Sequence, residues 1–252
     1  TIGQKLGGVK GEEIALVTGT VSGHVAALFG NYLDALGSKN HFVYEAVSPA
    51  VVRAANKKAY GVAMPRYRID KARVVVSFGA DFLGSWVSPV HFSQQYAKFR
   101  KGNRPEGRGV LVQIEPKMTL TGANADRWIA VRPGAEGIVA MGLINALAAA
   151  GAKVPADIAA AAKDYTADRV SADAGVPAEQ LNKLAALLKE RTPSLVLAGG
   201  AAEGYAHGSQ NAQAIALLNH VLGNVGKTIE ATANVPFPQL APVVGNRASL
   251  TA

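Results

Sequence analysis

Two polar residues with the chemistry to bind a nucleotide follow short apolar runs of the chain. Glu115 directly follows the run 109–114 and precedes Pro116 and Lys117. Arg132 follows the run 128–131. A carboxylate at a strand end can accept hydrogen bonds from ribose hydroxyls or a guanine edge, and a guanidinium fork can hold a phosphate through two parallel bonds. The pattern therefore predicts a nucleotide-like ligand near Glu115, Lys117 and Arg132.

Glycines end several of the other apolar runs. Glycine at the carboxyl end of a parallel strand permits a tight turn and lets a ligand approach the backbone closely. Each of these glycines is also an ordinary turn residue, which is the alternative interpretation. The predicted ligand edge consists of Gly19, Gly79, Glu115, Arg132 and Gly199.

The residue types give little evidence for disulfides, a metal site or a catalytic nucleophile. The chain contains no cysteine, which excludes disulfides and cysteine-bound metal clusters within it, and no two of its five histidines have the i,i+4 spacing of a helical zinc site. His24, His91 and His207 follow predicted strand-end turns and either line one cleft or lie on the surface. Ser22 lacks the spacing of a nucleophile elbow and is better explained as a helix cap. The sequence thus predicts no catalytic residue and no metal ligand.

Composition indicates a packed protein. Of 252 residues, 49% are hydrophobic and 17% are charged, and no apolar run is long enough to cross a membrane. The formal charge of +8 includes a basic cluster that is either a solvated loop or a contact for an anionic cofactor or acidic partner. Few aromatics accompany it, so nucleic-acid binding is not expected. The cluster consists of Lys98, Arg100, Lys101, Arg104 and Arg108.

Predicted strands alternate with predicted helices, which is typical of parallel sheets covered by helices. The sequence therefore predicts an α/β fold. The predicted strands are 13–19, 41–44, 73–78, 109–114, 128–131 and 194–197. The predicted helices are 25–36, 48–60, 89–100, 135–150, 156–162, 177–191 and 209–222. From residue 228 on, the chain is rich in proline without periodicity, and we expect a tail over the surface.

Four segments in order resemble the molybdopterin oxidoreductase family, that of formate dehydrogenase and dimethyl sulfoxide reductase. They are VVVSFGADF at 74–82, VQIEPKMTLTGANAD at 112–126, AVRPG at 130–134, and the glycine-rich strand and helix of 195–227. The resemblance covers about three quarters of the chain. It implies Rossmann-like sheets and a molybdopterin guanine dinucleotide, with the contacts either functional or vestigial. The implied contact residues are Gly79, Asp81, Glu115, Lys117, Arg132 and Gly199.

The segment 80–91, together with Gln94, Gln95 and Tyr96, is similar to one branch in particular, the large iron–sulfur subunit of alternative complex III. That resemblance implies a membrane-bound, quinol-oxidising respiratory complex with other subunits as partners. It also implies the periplasmic side of the bacterial inner membrane, with the cytoplasm as the alternative, and no direct membrane insertion.

The chain departs from the catalytic members of the family at two places. In the stretch 44–49, where a metal ligand would stand, only Ser48 is suitable, and helix capping explains it better. The Gly-Asn-Pro expected after the third strand reads Gly79-Ala80-Asp81, which places a carboxylate where a diphosphate would lie. These departures predict that this section of the protein holds no cofactor or molybdenum of its own. They also predict that it has no catalytic activity alone.

The resemblance also predicts domains and a function. Residues 69–162 would form a Rossmann-like domain, 11–68 with 163–227 a discontinuous second α/β domain, and 228–252 the tail. Thr1 instead of Met and the lack of a signal peptide favour a section of a longer protein, with a processed N-terminus as the alternative. We predict a scaffold section of a quinol-oxidising subunit. The alternatives are the cofactor-holding domains of an active molybdenum enzyme, or a nucleotide binder of another family.

Overall fold

The computed structural model describes residues 2–21, 23–45, 49–105 and 107–232. Their strands are β1 Ala15–Thr18, β2 Asn40–Val43, β3 Arg66–Tyr67, β4 Val74–Phe78, β5 Val110–Glu115, β6 Arg127–Ala130, β7 Ser194–Ala198 and β8 Ile229–Glu230. Their helices are α1 Ile2–Leu6, α2 Gly23–Ala35, α3 Ala50–Tyr60, α4 Pro89–Phe99, α5 Leu120–Ala123, α6 Glu136–Ala149, α7 Ala156–Ala162, α8 Ala167–Ala174, α9 Ala178–Glu190 and α10 Gly208–Val221. The predicted helix caps Ser22 and Ser48 lie outside the described residues.

The described chain divides into two compact units at residue 50. The N-terminal unit contains β1 and β2, which pair in parallel and are connected by α2. The large unit, Val51–Thr232, contains a four-stranded parallel sheet in the order β6-β5-β4-β7. The predicted α/β architecture with parallel sheets and flanking helices is confirmed.

Strand β7 does not pair as the sequence suggested. The discontinuous domain predicted from 11–68 and 163–227 would place β7 in the sheet of the N-terminal segment, but β7 pairs with β4, with Val74 opposite Ser194 and Phe78 opposite Ala198. This expected pairing is wrong because a buried parallel strand is apolar on both faces and carries no local signal for its neighbour. The predicted domain boundaries themselves stay a prediction.

Helices cover both faces of the large sheet. Alternate side chains of β4 point to opposite sides, with Val74, Val76 and Phe78 in one core cluster and Val75 in another. The first cluster includes apolar residues of α6, α8, α9 and α10, and the second includes Phe92 and Phe99 of α4. Because both faces of β4, β5 and β7 are buried, these strands read as largely apolar runs in the sequence.

Two residues near the start of the predicted tail form a strand. Strand β8 pairs antiparallel with β3, and Ile229 is completely buried. Glu230 accepts hydrogen bonds from Arg68 at 2.8 Å and Lys71 at 3.0 Å, which anchor β8 beside β3. A two-residue strand is too short to show periodicity, so the sequence did not reveal it. The remainder of the predicted tail, 233–252, lies outside the described residues.

No helix within the described ranges combines the length and the apolar character that crossing a bilayer requires.

Candidate functional site

The order of the large sheet places its most suitable ligand position between β4 and β7. From β4 the chain proceeds through β5 to β6 on one side, then returns by α6 to α9 and adds β7 on the other side of β4. The strand order therefore reverses at β4. In open parallel sheets, ligands bind outside the carboxyl ends of the strands at such a switch point.

Two glycine turns interlock at this point. Gly79 follows β4 with φ +66°, and Gly200 follows β7 with φ +53°. A Cβ atom on Gly79 would lie 2.6 Å from the carbonyl oxygen of Gly199, and one on Gly200 would lie 2.4 Å from the carbonyl oxygen of Gly79. Only glycine satisfies both the backbone conformation and the close approach. The two turns together form one wall of a cleft.

The cleft has a volume of about 450 Å³, in the range of ligand sites in proteins. It brings together four of the six residues that the family resemblance implied, namely Gly79, Asp81, Glu115 and Lys117. Gly199 lies directly behind the wall, where a Cβ atom would meet the indole of Trp86 at 2.2 Å. Arg132 is not among the lining residues. The complete lining is Gly79, Asp81, Ser85, Glu115, Pro116, Lys117, Met118, Thr119, Gly200 and Ala201.

The carboxylate of Glu115 is engaged by its own protein. Oε1 accepts from the backbone N–H of Thr119 at 2.7 Å, and the Trp128 indole N–H lies 3.3 Å from the same oxygen. Oε2 accepts from Gln113 Nε2 at 2.8 Å, and the Thr119 hydroxyl lies within 3.1 Å of both oxygens. Glu115 is buried and fixes the 116–119 turn beneath the cleft. Its predicted role as an acceptor for a ribose stays a prediction.

Asp81 holds the other loop of the cleft. Its Oδ1 accepts from the N–H of Thr121 at 3.0 Å and from the Thr121 hydroxyl at 2.7 Å. Its main-chain oxygen accepts from the N–H groups of Gly84, Ser85 and Trp86. Gly84 packs so closely that a Cβ atom would lie 2.1 Å from Asp81 Oδ2. Asp81 thus joins the loop after β4 to helix α5 while its carboxylate contributes negative charge to the cleft.

Arg132 stabilises a helix end. Its guanidinium Nη1 donates to the carbonyl oxygens of Ala172 and Asp173, and its backbone N–H donates to that of Ala174 at 2.8 Å. These are the last carbonyl groups of α8, which otherwise have no helical partner. A cation there also interacts favourably with the helix dipole. The Arg132 guanidinium, which was predicted to hold a phosphate, therefore serves as a cap at the C-terminal end of α8.

Replacing Arg132 with alanine should lower the free energy of unfolding by about 1 kcal/mol, because α8 loses its cap and a favourable charge. Arg132→Lys should recover part of the loss. Urea denaturation followed by circular dichroism measures the change, and Arg127→Ala, an exposed arginine on β6, is the matched control. Equal stability of Arg132→Ala and the parent protein would contradict the capping role.

The three arginines of the basic cluster are bonded within the chain. Arg100 and Arg108 both donate to the carboxylate of Asp126, Arg100 through two nitrogens. Arg104 donates to two main-chain carbonyl oxygens. Neither sequence interpretation included this arrangement, in which three guanidinium groups stabilise the connection between α4 and β5.

Three histidines, His24, His91 and His207, follow predicted strand-end turns. His91 lies on α4 and hydrogen-bonds to Gln95 at 2.7 Å, and neither His91 nor His207 lines the cleft, while His24 lies in the N-terminal unit. In the part of the chain that the structure describes, no three His, Asp or Glu side chains are arranged to hold a metal ion. The prediction that this section carries no metal stays a prediction.

Comparison with known proteins decides the family. The family model for molybdopterin oxidoreductases matches residues 1–250. The chain belongs to the molybdopterin oxidoreductase family. The interpretation as a nucleotide binder of another family is therefore wrong, and the predicted resemblance to the molybdopterin oxidoreductase family is confirmed.

Three individual proteins are similar to this chain in sequence or in fold. The chain is 27% identical to the menaquinone reductase, molybdopterin-binding-like subunit of Nitratidesulfovibrio vulgaris strain Hildenborough, over 86% of this chain and 32% of that one. It is 34% identical to a nitrate reductase of Klebsiella oxytoca, over 45% of this chain and 13% of that one. The fold matches acetylene hydratase from Pelobacter acetylenicus with a TM-score of 0.67 and 16% identity, over 90% of this chain and 32% of that one. The chain thus spans about a third or less of these relatives.

Membership of the molybdopterin oxidoreductase family implies a molybdopterin cofactor in full-length members. The charged side chains of the cleft fit the diphosphate of that cofactor poorly. The charged lining residues are the carboxylates of Asp81 and Glu115 and one ammonium group, that of Lys117. A diphosphate prefers several guanidinium, ammonium or backbone N–H donors. Arg132 is bonded elsewhere, and the N–H of Gly200 is directed to Glu203 at 3.2 Å. Among the charged side chains at this point, the two carboxylates therefore outnumber the single ammonium group.

A buried polar cluster behind the cleft wall was not predicted. Asn211 on α10 donates from Nδ2 to the carbonyl oxygens of Gly134 and Ala202, both at 3.0 Å, and accepts at Oδ1 from the N–H of Gly137 at 3.0 Å. The Glu136 carboxylate lies 3.4 Å from the same Nδ2. The cluster joins the starts of α6 and α10 to the turn after β7. An asparagine near a helix start gave no sign of this role, because its partners lie up to 77 residues away in the sequence.

Glu136 should make stability depend on pH. Burial raises the pKa of its carboxyl, against the opposing effect of nearby backbone N–H groups, and one carboxyl oxygen has no partner in the described structure. The folded state therefore favours the protonated form. The protonated Glu136 carboxyl makes its full contribution to stability below the pKa of an unfolded glutamate, about 4.3. That contribution is lost as the pH rises through the raised pKa.

Glu136→Gln should therefore raise the thermal unfolding midpoint at pH 8 and leave it nearly unchanged at pH 4. Thermal denaturation at pH 4, 6 and 8 tests this result. Glu179→Gln is the control, because Glu179 is exposed, and a hydrogen bond from Lys183 lowers the pKa of its carboxyl. A lower midpoint of Glu136→Gln at pH 8 would show that the charged form stabilises the fold.

Proposed function

We propose that this chain is a scaffold section of a molybdopterin-oxidoreductase-like subunit in a quinone-linked respiratory complex, and that no molybdenum cofactor binds at its cleft. The observation that carries the proposal is the Asp81 carboxylate, which Thr121 holds in the cleft wall at the end of β4. Negative charge there opposes a diphosphate. The relative named as a molybdopterin-binding-like subunit supports the respiratory assignment.

The N-terminal unit supports the idea of a section within a larger subunit. Its sheet has only the two parallel strands β1 and β2 in the described residues, and Val17 and Leu28 are exposed apolar side chains. Parallel sheets are normally covered on both faces and are rarely stable with two strands. We infer that further chain covers this unit in the whole protein.

The partners in this proposal are the other subunits of the complex, and the iron–sulfur centres belong elsewhere in the assembly. The location is the periplasmic side of the inner membrane, as the resemblance to alternative complex III implies. Cell fractionation of the source organism tests the location, with recovery in the cytoplasmic fraction as the contradicting result.

Metal analysis of the full-length protein tests the central claim. We expect far less than one molybdenum or tungsten atom per polypeptide when the protein is purified from its source or from a host that makes the cofactor. A known molybdenum enzyme expressed in the same host controls for cofactor supply. A stoichiometric content of either metal would reject the proposal.

One observation favours a second function, that of cofactor-holding domains in an active molybdenum enzyme. The cleft lies at the topological switch point, with Lys117 exposed at its edge, and this is where a dinucleotide would bind. In that case Lys117→Glu in the full-length protein should lower the bound guanine dinucleotide measured by chromatography after acid release. Nucleotide content below one per polypeptide in the parent protein would count against this function.

A further inference from the structure

A small cavity inside the large unit is lined by residues of α3, α10, β3 and β7. Its volume is about 10 Å³, which is room for a single water molecule. Nine of its eleven lining residues are buried, and none of the eleven also lines the cleft. The cavity is therefore an internal feature, separate from the candidate ligand site.

Small side chains leave this space beside the two helices. Ala55 on α3 and Ala212 and Ala216 on α10 line the cavity, and all three are buried. The buried apolar cluster at this place consists of Val52, Ala55 and Ala212, whereas the clusters on the two faces of the large sheet are much larger. Polar contacts therefore matter more for the packing of α3 than for the rest of the core.

Four polar side chains of the cavity wall form two hydrogen-bonded pairs. The Tyr67 hydroxyl on β3 donates to Asn56 Oδ1 on α3 at 3.1 Å. Asn219 Nδ2 on α10 donates to the Tyr60 hydroxyl on α3 at 3.2 Å, and that hydroxyl donates to the carbonyl oxygen of Ala216 at 3.3 Å. Within the described ranges, no hydrogen bond connects one pair to the other.

Each pair keeps hydrogen-bonding capacity that the described residues do not use. A hydroxyl oxygen has two lone pairs, but that of Tyr67 accepts no bond and that of Tyr60 accepts one. Asn56 Nδ2 has two hydrogens and uses one of them, for the carbonyl oxygen of Ala63 at 3.3 Å. Two acceptors and one donor are thus available, and about three partners are typical of a buried water.

The two tyrosine hydroxyls lie in one desolvated environment. Burial raises the pKa of both Tyr60 and Tyr67, and the charge of an ionised Tyr60 would raise the pKa of Tyr67 further. The two groups are therefore near enough to interact, and both stay protonated. A protonated hydroxyl can donate to its present partner and accept from a water at the same time.

We propose that the cavity binds one water molecule, which donates to the hydroxyl oxygens of Tyr60 and Tyr67 and accepts from Asn56 Nδ2. This water joins the two hydrogen-bonded pairs into one network between α3, α10 and β3. It is a structural part of the large unit that holds α3 in place. The inference is independent of the proposed function, because no cleft residue takes part in it.

A crystal structure of the full-length protein, at a resolution that shows internal waters, tests the site directly. We expect a density peak about 2.8 Å from both tyrosine hydroxyl oxygens and from Asn56 Nδ2. In Tyr67→Phe this peak should lose most of its occupancy while α3 stays in place. Tyr205→Phe, which removes an exposed hydroxyl, is the control and should leave the peak unchanged.

A double-mutant cycle on the full-length protein tests the bridge independently. Tyr60→Phe and Tyr67→Phe should each lower the thermal unfolding midpoint. Because the first substitution already weakens the binding of the shared water, the double variant should lose less than the sum of the two single losses. Tyr67→Phe combined with Tyr205→Phe is the control cycle, in which the changes should add.

Three results would overturn the inference. The first is the absence of the density peak in the parent protein. The second is a peak that contacts only one of the two tyrosines. The third is an additive cycle of Tyr60→Phe and Tyr67→Phe, since hydroxyls without a shared partner act separately. None of these results changes the expected molybdenum content, so the proposed function stands or fails by its own test.

Discussion

Gly79→Ala is expected to lower the free energy of unfolding by about 3 kcal/mol, since two separate effects combine at this residue. The first is the left-handed backbone, with φ +66°, which an alanine adopts at a cost. The second is the approach of the β7 turn, where the carbonyl oxygen of Gly199 would lie 2.6 Å from the new methyl carbon. That oxygen belongs to backbone and cannot rotate away, so the two turns must separate.

Gly151→Ala is the matched control for Gly79→Ala. Gly151 also has a left-handed backbone, with φ +80°, but no atom lies within 4 Å of the position that a Cβ atom would occupy there. Its substitution should cost about 1 kcal/mol from conformation alone. Urea denaturation of both variants measures the difference, which isolates the contact between the turns. Equal losses in the two variants would show that the turns of β4 and β7 do not depend on each other.

Asn211→Ala is expected to lower the free energy of unfolding by about 3 kcal/mol as well. Alanine leaves the carbonyl oxygens of Gly134 and Ala202 and the N–H of Gly137 without their side-chain partner. Asn211 is buried, so water does not replace these bonds without rearrangement. Because Ala202 follows the cleft-lining turn, the loss should also loosen the wall of the cleft.

Two measurements test this result. Urea denaturation gives the free energy, and hydrogen exchange at the Gly137 amide should become faster in the variant. Gln213→Ala on the same helix is the control, because its bonds to Ser209 and Lys58 are exposed and should contribute less than about 0.5 kcal/mol. A similar small effect of Asn211→Ala would mean that the start of α6 is held by packing alone.

The sequence predicted the strand ends of the cleft better than the roles of the residues there. Gly79, Asp81, Glu115 and Lys117 meet because carboxyl ends of neighbouring parallel strands lie at one edge of a sheet. Residue type alone did not reveal that Thr119, Gln113 and Trp128 bond to Glu115, or that Arg132 caps α8. A carboxylate or guanidinium looks the same in a sequence whether its partner is a ligand or its own protein.

By itself, the sequence determined the alternation of strands and helices, the burial of β4, β5 and β7, and the family, because each depends on local periodicity or ordered motifs. Only the tertiary structure decided that β7 pairs with β4, that Ile229 closes a second small sheet, and that Asn211 joins three segments. These features depend on groups far apart in the chain. Apolar strands of similar composition do not encode which strands lie beside them. The pairing of the strands is therefore decided only when the whole core packs.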